Sequence, residues 1–107
     1  MEIVKIVIFV PKTHADLVRE ALGRSGAGRI GNYDYCTFST TGIGRWRAKK
    51  GAKPYKGEIE KLEAVEEERI ETVCDKRLLP KVIKAVREVH PYEEVAIDIY
   101  PLYSLEE

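Results

Sequence analysis

The chain has 107 residues, 44% of them hydrophobic, which is enough for one domain with a real core and too few for two. Its 18 Lys and Arg balance 18 Asp and Glu, so no bulk charge draws it to nucleic acid or to a membrane surface, and any polyanion site must be local. The longest apolar run, Ile6 to Val10, is far short of the roughly 20 residues that cross a bilayer, and the start MEIVK lacks signal-peptide features, so a cytoplasmic protein without membrane contact is expected.

Residues Glu2 to Val10, EIVKIVIFV, are β-branched and apolar, which predicts a strand buried on both faces and ended by Pro11. Thr13 with Asp16 three positions on reads as a capping box. Leu17, Val18, Ala21 and Leu22 then recur at helical spacing until Gly26 supplies a left-handed stop. Tyr33 to Thr41 alternates, with Tyr33, Tyr35, Thr37 and Ser39 on one side and Cys36 and Phe38 on the other, which predicts a second strand. Gly42 and Gly44 predict a bulge or bend before RWR.

Ala48 to Lys56 has no apolar face at any period and reads as an exposed loop, and Glu58 to Glu68 is acidic with sparse Leu62 and Val65. ERIETVC, ending at Cys74, reads as a third strand. Asp75 is placed to cap a second helix whose stripe is Leu79, Val82, Ile83, Val86 and Val89, with Pro80 confined to its first turn. His90 to Tyr92 break it, and EEVAIDIYPLY gives a fourth strand carrying Val95, Ile97, Ile99 and Leu102.

The order βαββαβ, with right-handed crossovers, predicts an α+β ferredoxin-like domain over residues 1–107: a four-stranded antiparallel sheet with both helices on one face. The first strand is apolar in both directions, Ile3, Ile6, Ile8 and Val10 against Val4, Val7 and Phe9, so the helix-free face is expected to pack on other subunits. The two cysteines, Cys36 and Cys74, lie far apart without a CxxC pair and suggest neither zinc ribbon nor disulfide framework. The absence of Gln, the single Asn and the abundance of Glu, Lys and Arg are the bias of a protein from a hot habitat.

Three segments carry candidate chemistry. GAGRIG superficially resembles a phosphate-binding loop, but it leaves a helix and enters a strand, the reverse of the dinucleotide order, so a helix stop plus turn competes with an anion cradle using Arg29 and Asn32. The run RWRAKKGAKPYK interleaves cations with Trp46 and Tyr55, as a single-stranded nucleic acid or nucleotide site would. The acidic run after it offers ion pairs instead, and the third strand lacks the aromatics of an RNA-recognition module, which argues against nucleic acid. HPYEE offers His90, Tyr92, Glu93 and Glu94 for proton transfer or metal binding, with His14, Asp98 or a cysteine such as Cys36 as further ligand; the competing reading is a helix-terminating turn.

Three ordered blocks, GAGRIGNYDYCTFSTTGIGRW, GAKPYKGEIEKLEAVEEERIE and HPYEEVAIDIYPL, together resemble the domain inserted in many bacterial members of the NGG-interacting-factor family, also called dinuclear metal centre proteins or GTP cyclohydrolase type 2 homologues. The resemblance runs from Val4 to Leu102 and implies a fold similar to CutA and the PII signalling proteins, which form trimers. It places the family's metal ligands in flanking domains, and no residue here matches that motif, so it implies a stand-alone insert with a regulatory or assembly role more than an enzyme. PII members bind nucleotides between subunits near a long loop, and Arg47 to Glu58 occupies the equivalent place without matching a PII motif. The expected site is therefore an intersubunit cleft lined by Arg29, Asn32, Tyr33, Cys36, Trp46, His90, Tyr92 and Glu93 in a homotrimer. Its ligand and any cofactor are unspecified, a small molecule or a protein partner both being open, and the alternative is a metal-binding protein or hydrolase accessory using His90, Glu93 and Glu94.

Overall fold

A computed structural model describes residues 2–105. Strands β1 (Ile3–Pro11), β2 (Phe38–Arg47), β3 (Leu62–Asp75) and β4 (Ile97–Pro101) form one antiparallel sheet in the order β2-β3-β1-β4. Helices α1 (Ala15–Arg24) and α2 (Leu79–Val89) follow β1 and β3 through short 3-10 turns, which completes the βαββαβ order read from the sequence.

The core follows from the pleat. Val4, Ile6, Ile8 and Val10 of β1 point to one face beside Ile70 and Cys74 of β3, and Val18 and Leu22 of α1 and Val82 and Val86 of α2 pack on them. Ile6, Ile8, Leu22 and Ile70 are fully buried, each contributing about 1.5–3 kcal/mol of burial free energy. Both helices therefore cover the same face. The other face carries Ile3, Lys5, Val7 and Phe9, so strict alternation re-sorts the expected sets: Ile3 joins Val7 and Phe9, and Val4 joins the helix side. Val7 is sealed there at 0% exposure. Opposite it Glu71 accepts from Lys5 Nζ at 3.2 Å and from Arg69 Nε at 3.0 Å, and Arg69 lies over the Phe9 ring, so ion-paired stems cover the valine.

The elements depart from expectation at their ends. The capping box does not form: the 3-10 turn Lys12–His14 moves the start of α1 to Ala15, Thr13 Oγ1 bonds His14 Nδ1, and Asp16 pairs with Arg19. Leu17 is exposed outside the buried stripe. The stop at Gly26 is a Schellman motif, with φ +108 at Gly26 and backbone bonds from Gly26 to Gly23 and from Ala27 to Leu22. β2 begins five residues later than predicted, because Tyr35 adopts a left-handed conformation that ends any strand there. Its ladder with β3 then runs from Phe38 to Arg47 in unbroken register, so Gly42 and Gly44 make no bulge.

β3 starts at Leu62, six residues ahead of ERIETVC. Its first turn of strand pairs only with β2, in an arm that helps stretch the molecule to 49 Å, and a two-sided exposed ribbon needs no apolar alternation to reveal it. Asp75 does cap, accepting from Arg77 N at 2.9 Å, but it caps the 3-10 turn before α2. Val95 and Leu102 fall outside β4. Among the described residues no helix is long and apolar enough to cross a membrane.

Candidate functional site

The site arises from unequal strand lengths. β3 runs on past the end of β1, where Pro11 faces Glu67, and β4 stops at Ile97 opposite Ile8. The last residues of β1 therefore lack a β4 partner on one edge. The segment after α2 fills that gap. Phe9 N donates to Ala96 O, and the Phe9 carbonyl accepts from His90 Nε2 at 2.8 Å, so an imidazole takes the place of a strand neighbour. His90 Nδ1 in turn accepts from Tyr92 N at 3.2 Å. Both ring nitrogens are committed, the proton sits on Nε2, and burial lowers the pKa of the imidazole, with the Phe9 carbonyl opposing in part.

This turn directs Tyr92 over the end of β1. Its hydroxyl donates to Glu67 Oε2 at 2.8 Å, and Glu67 is only 9% exposed. Burial, then the neighbouring carboxylate, push the phenol well above its ordinary pKa, so Tyr92 remains a donor at any physiological pH. Across the β2–β3 ladder Gly44 leaves the space this carboxylate occupies: a Cβ there would overlap it. Trp46 follows on the same face of β2, its ring 5.6 Å from that of Tyr92, and Tyr55 from the long loop stands 6.2 Å from Tyr92 on the other side. His14 meets Tyr55 edge-on, and Lys53 N donates to Glu93 Oε1 at 2.9 Å, which ties the long loop to the turn after α2. The result is a cleft of about 360 Å³ walled by Trp46, Tyr55, Tyr92 and Phe9, with Glu67 set into it.

The sequence-predicted residues divide between two ends of the sheet. Trp46, His90, Tyr92 and Glu93 gather at this cleft, His90 behind Tyr92 as its support. Arg29, Asn32, Tyr33 and Cys36 lie in the glycine-rich connection at the far end, where Gly28 N donates to Val73 O and Thr72 Oγ1 to Cys36 O. From Thr72 to Glu67 along β3 is about 16 Å at strand rise, so one chain does not bring the two groups together. The metal candidates are scattered likewise: Glu93 holds Lys53, Cys36 is at the far end, and Asp98 lies beside Val7 on the open face. Among the described residues no three His, Cys, Asp or Glu side chains form a metal set. Glu67, Gly44, Tyr55 and Phe9 were not among the expected lining residues. Glu67 is hidden in the charged run Glu66–Arg69, and only the folded structure, in which it pairs with Gly42 and its side chain reaches diagonally over Gly44, brings it into view.

No family model matches the chain. It is 53% identical over 98 residues to the GTP cyclohydrolase 1 type 2 homolog of Halalkalibacterium halodurans, a match covering 92% of this chain and 26% of that protein. The crystal structure of a Bacillus cereus protein related to NIF3 superposes with a TM-score of 0.84 at 52% identity, over 96% of this chain and 26% of that one. The periplasmic divalent cation tolerance protein CutA from Archaeoglobus fulgidus superposes with a TM-score of 0.70 at 18% identity, over 97% of this chain and 88% of that one. The chain thus corresponds to a segment of the GTP cyclohydrolase 1 type 2 homologs, spanning about a quarter of their length, and this segment has a CutA-like fold.

Proposed function

We propose that these 107 residues act as one cytoplasmic, oligomeric binding or regulatory domain whose ligand enters the cleft at the end of β1. The observation that carries this reading is the gathering of Trp46 and Tyr55, from two other segments, around Tyr92, which bonds Glu67, the buried carboxylate that lines the same cleft. Core packing alone does not require a cleft of small-molecule size with an ionisable floor. Oligomerisation is supported by apolar side chains left exposed where no helix covers them: Phe38 and Tyr100 on the open sheet face, and Ile43 and Leu62 along the β2–β3 arm. The resemblance to CutA and PII favours three copies. Assembly around a threefold axis would also bring Arg29, Asn32 and Tyr33 of one copy toward the cleft of another.

Native mass spectrometry of freshly purified protein tests both parts together. The expected result is a trimer mass with a retained small molecule. A monomer at micromolar concentration would refute the assembly, and a trimer that neither retains nor acquires any small molecule would refute the binding role.

A further inference from the structure

The chemistry of the cleft specifies what it should hold. Among the described residues Glu67 has no ion-pair partner: the ion pairs use Glu66, Glu68 and Glu71 around it and leave it out. Its Oε2 takes the Tyr92 hydroxyl, while Oε1 accepts no hydrogen bond and is not sealed off, so it opens into the cleft. A carboxylate buried on all sides but the cleft has lost much of its hydration, and a cation in the cleft would compensate it. The walls point the same way. Indole and phenol faces attract cations, Trp most strongly, and three such rings line the cleft with the carboxylate. The other charged lining residues, Arg45, Lys56, Glu93 and Glu94, are exposed at the rim, where water screens them, and Glu93 is already engaged by Lys53 N. An anion would have to approach Glu67 in a low-dielectric pocket.

Building on the binding role above, we propose that the cleft is a site for a small organic cation, an ammonium or guanidinium group carried on a flat apolar body. Glu67 Oε1 accepts from its charged end, and Trp46, Tyr55 and Tyr92 enclose the rest.

Trp46 is the only tryptophan of the chain and stands in the cleft wall, so its fluorescence reports occupancy. Benzylammonium, neutral benzyl alcohol and benzoate share one body and differ in charge. Titrated into the full chain, benzylammonium is expected to change Trp46 emission saturably, benzyl alcohol to bind about tenfold more weakly, a difference of about 1.4 kcal/mol, and benzoate not to bind. Glu67→Gln should remove the preference for the cation. If that variant does not fold, Gly44→Ala, whose methyl displaces the carboxylate, should do the same. The proposal is overturned if the three probes bind equally, or if none binds up to about 10 mM. It is also overturned if carbodiimide joins Glu67 to a lysine of a neighbouring copy in the untreated assembly, because the cation would then belong to the protein itself. Retention of a neutral or anionic metabolite in the native mass spectrum would preserve the binding role and refute the cation.

Discussion

Gly44→Ala tests the cleft's architecture through one methyl group. Gly44 lies in regular strand, so alanine suits its backbone and would, with no neighbour in the way, stabilise the strand by roughly 0.5–1 kcal/mol. Its Cβ would however stand 2.2 Å from Glu67 Cδ and Oε1 and 2.5 Å from Oε2, where ordinary contact begins at 3.4 Å, so the whole carboxylate must retreat, its nearest atoms by about 1.2 Å and Oε2 by about 0.9 Å. Oε2 is the oxygen bonded by Tyr92 at 2.8 Å, and the bond does not survive a retreat of that size unless the Tyr92 ring follows. Losing a hydrogen bond to a charged group costs about 1.5–3 kcal/mol. The carboxylate is the end of a flexible side chain and can swing outward, so the net destabilisation should be about 1–2 kcal/mol. Urea unfolding followed by Trp46 fluorescence, at one fixed protein concentration, measures it. The decisive comparison is the same substitution in a Glu67→Ala background, where the clash is gone and the methyl should be neutral or stabilising. Equal effects of Gly44→Ala in the two backgrounds would refute the account of why glycine stands there.

Gly28→Ala should be more damaging, about 2–4 kcal/mol, because the added Cβ meets the backbone of Cys36 at 2.7 Å at a φ of +80, and backbone cannot swing aside; thermal unfolding checks it. Arg19→Met should cost about 1–3 kcal/mol in urea unfolding, since it strands Glu68 and breaks the bond to Ser39 that joins α1 to β2. His90 is held neutral with its pKa below 6.5, so the unfolded chain binds the extra proton first: stability should fall as pH drops below about 6.5, and His90→Gln should flatten that slope in unfolding curves collected across pH. Asp75, lowered from 3.8 to about 2 chiefly by the Arg77 side chain, adds stability that is present above pH 3.8 and lost as pH falls toward 2, a second acid step that Arg77→Ala should shrink to the part held by the backbone N–H of residue 77. Iodoacetamide should modify Cys36 in the native protein and Cys74 only on unfolding, because Cys74 is buried and its thiol pKa is raised.

The architecture was legible wherever burial imposes a period. β1, the α2 stripe and the Gly26 stop read directly, because each depends on a local pattern that the sheet and helices then bury. The errors fall where no face is buried. The outer half of β3 is held by its ladder to β2 and carries Glu63, Glu66, Glu67 and Glu68 with no alternating apolar face, so neither hydropathy nor propensity marks it as strand. The alternation of Tyr33 to Thr37 misleads in the opposite sense: the Tyr35 ring packs against Gly23 of α1 and Cys36 N donates to Gly28 O, so one side-chain contact and one backbone bond fix that segment without a ladder. The site was half legible. The concentration of Trp, Tyr and His in two distant blocks flagged Trp46, Tyr92 and His90, but Glu67 becomes visible only once the ladder sets it opposite Gly42, with its carboxylate over Gly44 and beside Tyr92.

His90 shows how fold and site depend on each other. A metal ligand or general base needs a free ring nitrogen, and this ring spends one on the Phe9 carbonyl and the other on Tyr92 N. The first bond repairs the edge of β1 where β4 has ended, and the second sets the turn that carries Tyr92 to Glu67. The cleft thus exists because β4 is short and β3 is long, and the residue that looked most like chemistry in the sequence is the one that converts that mismatch into a wall. Removal of the imidazole should therefore disturb occupancy of the cleft through the position of Tyr92, without changing the charge that the cleft prefers, whereas removal of the Glu67 charge should change that preference and leave the position of Tyr92 largely intact.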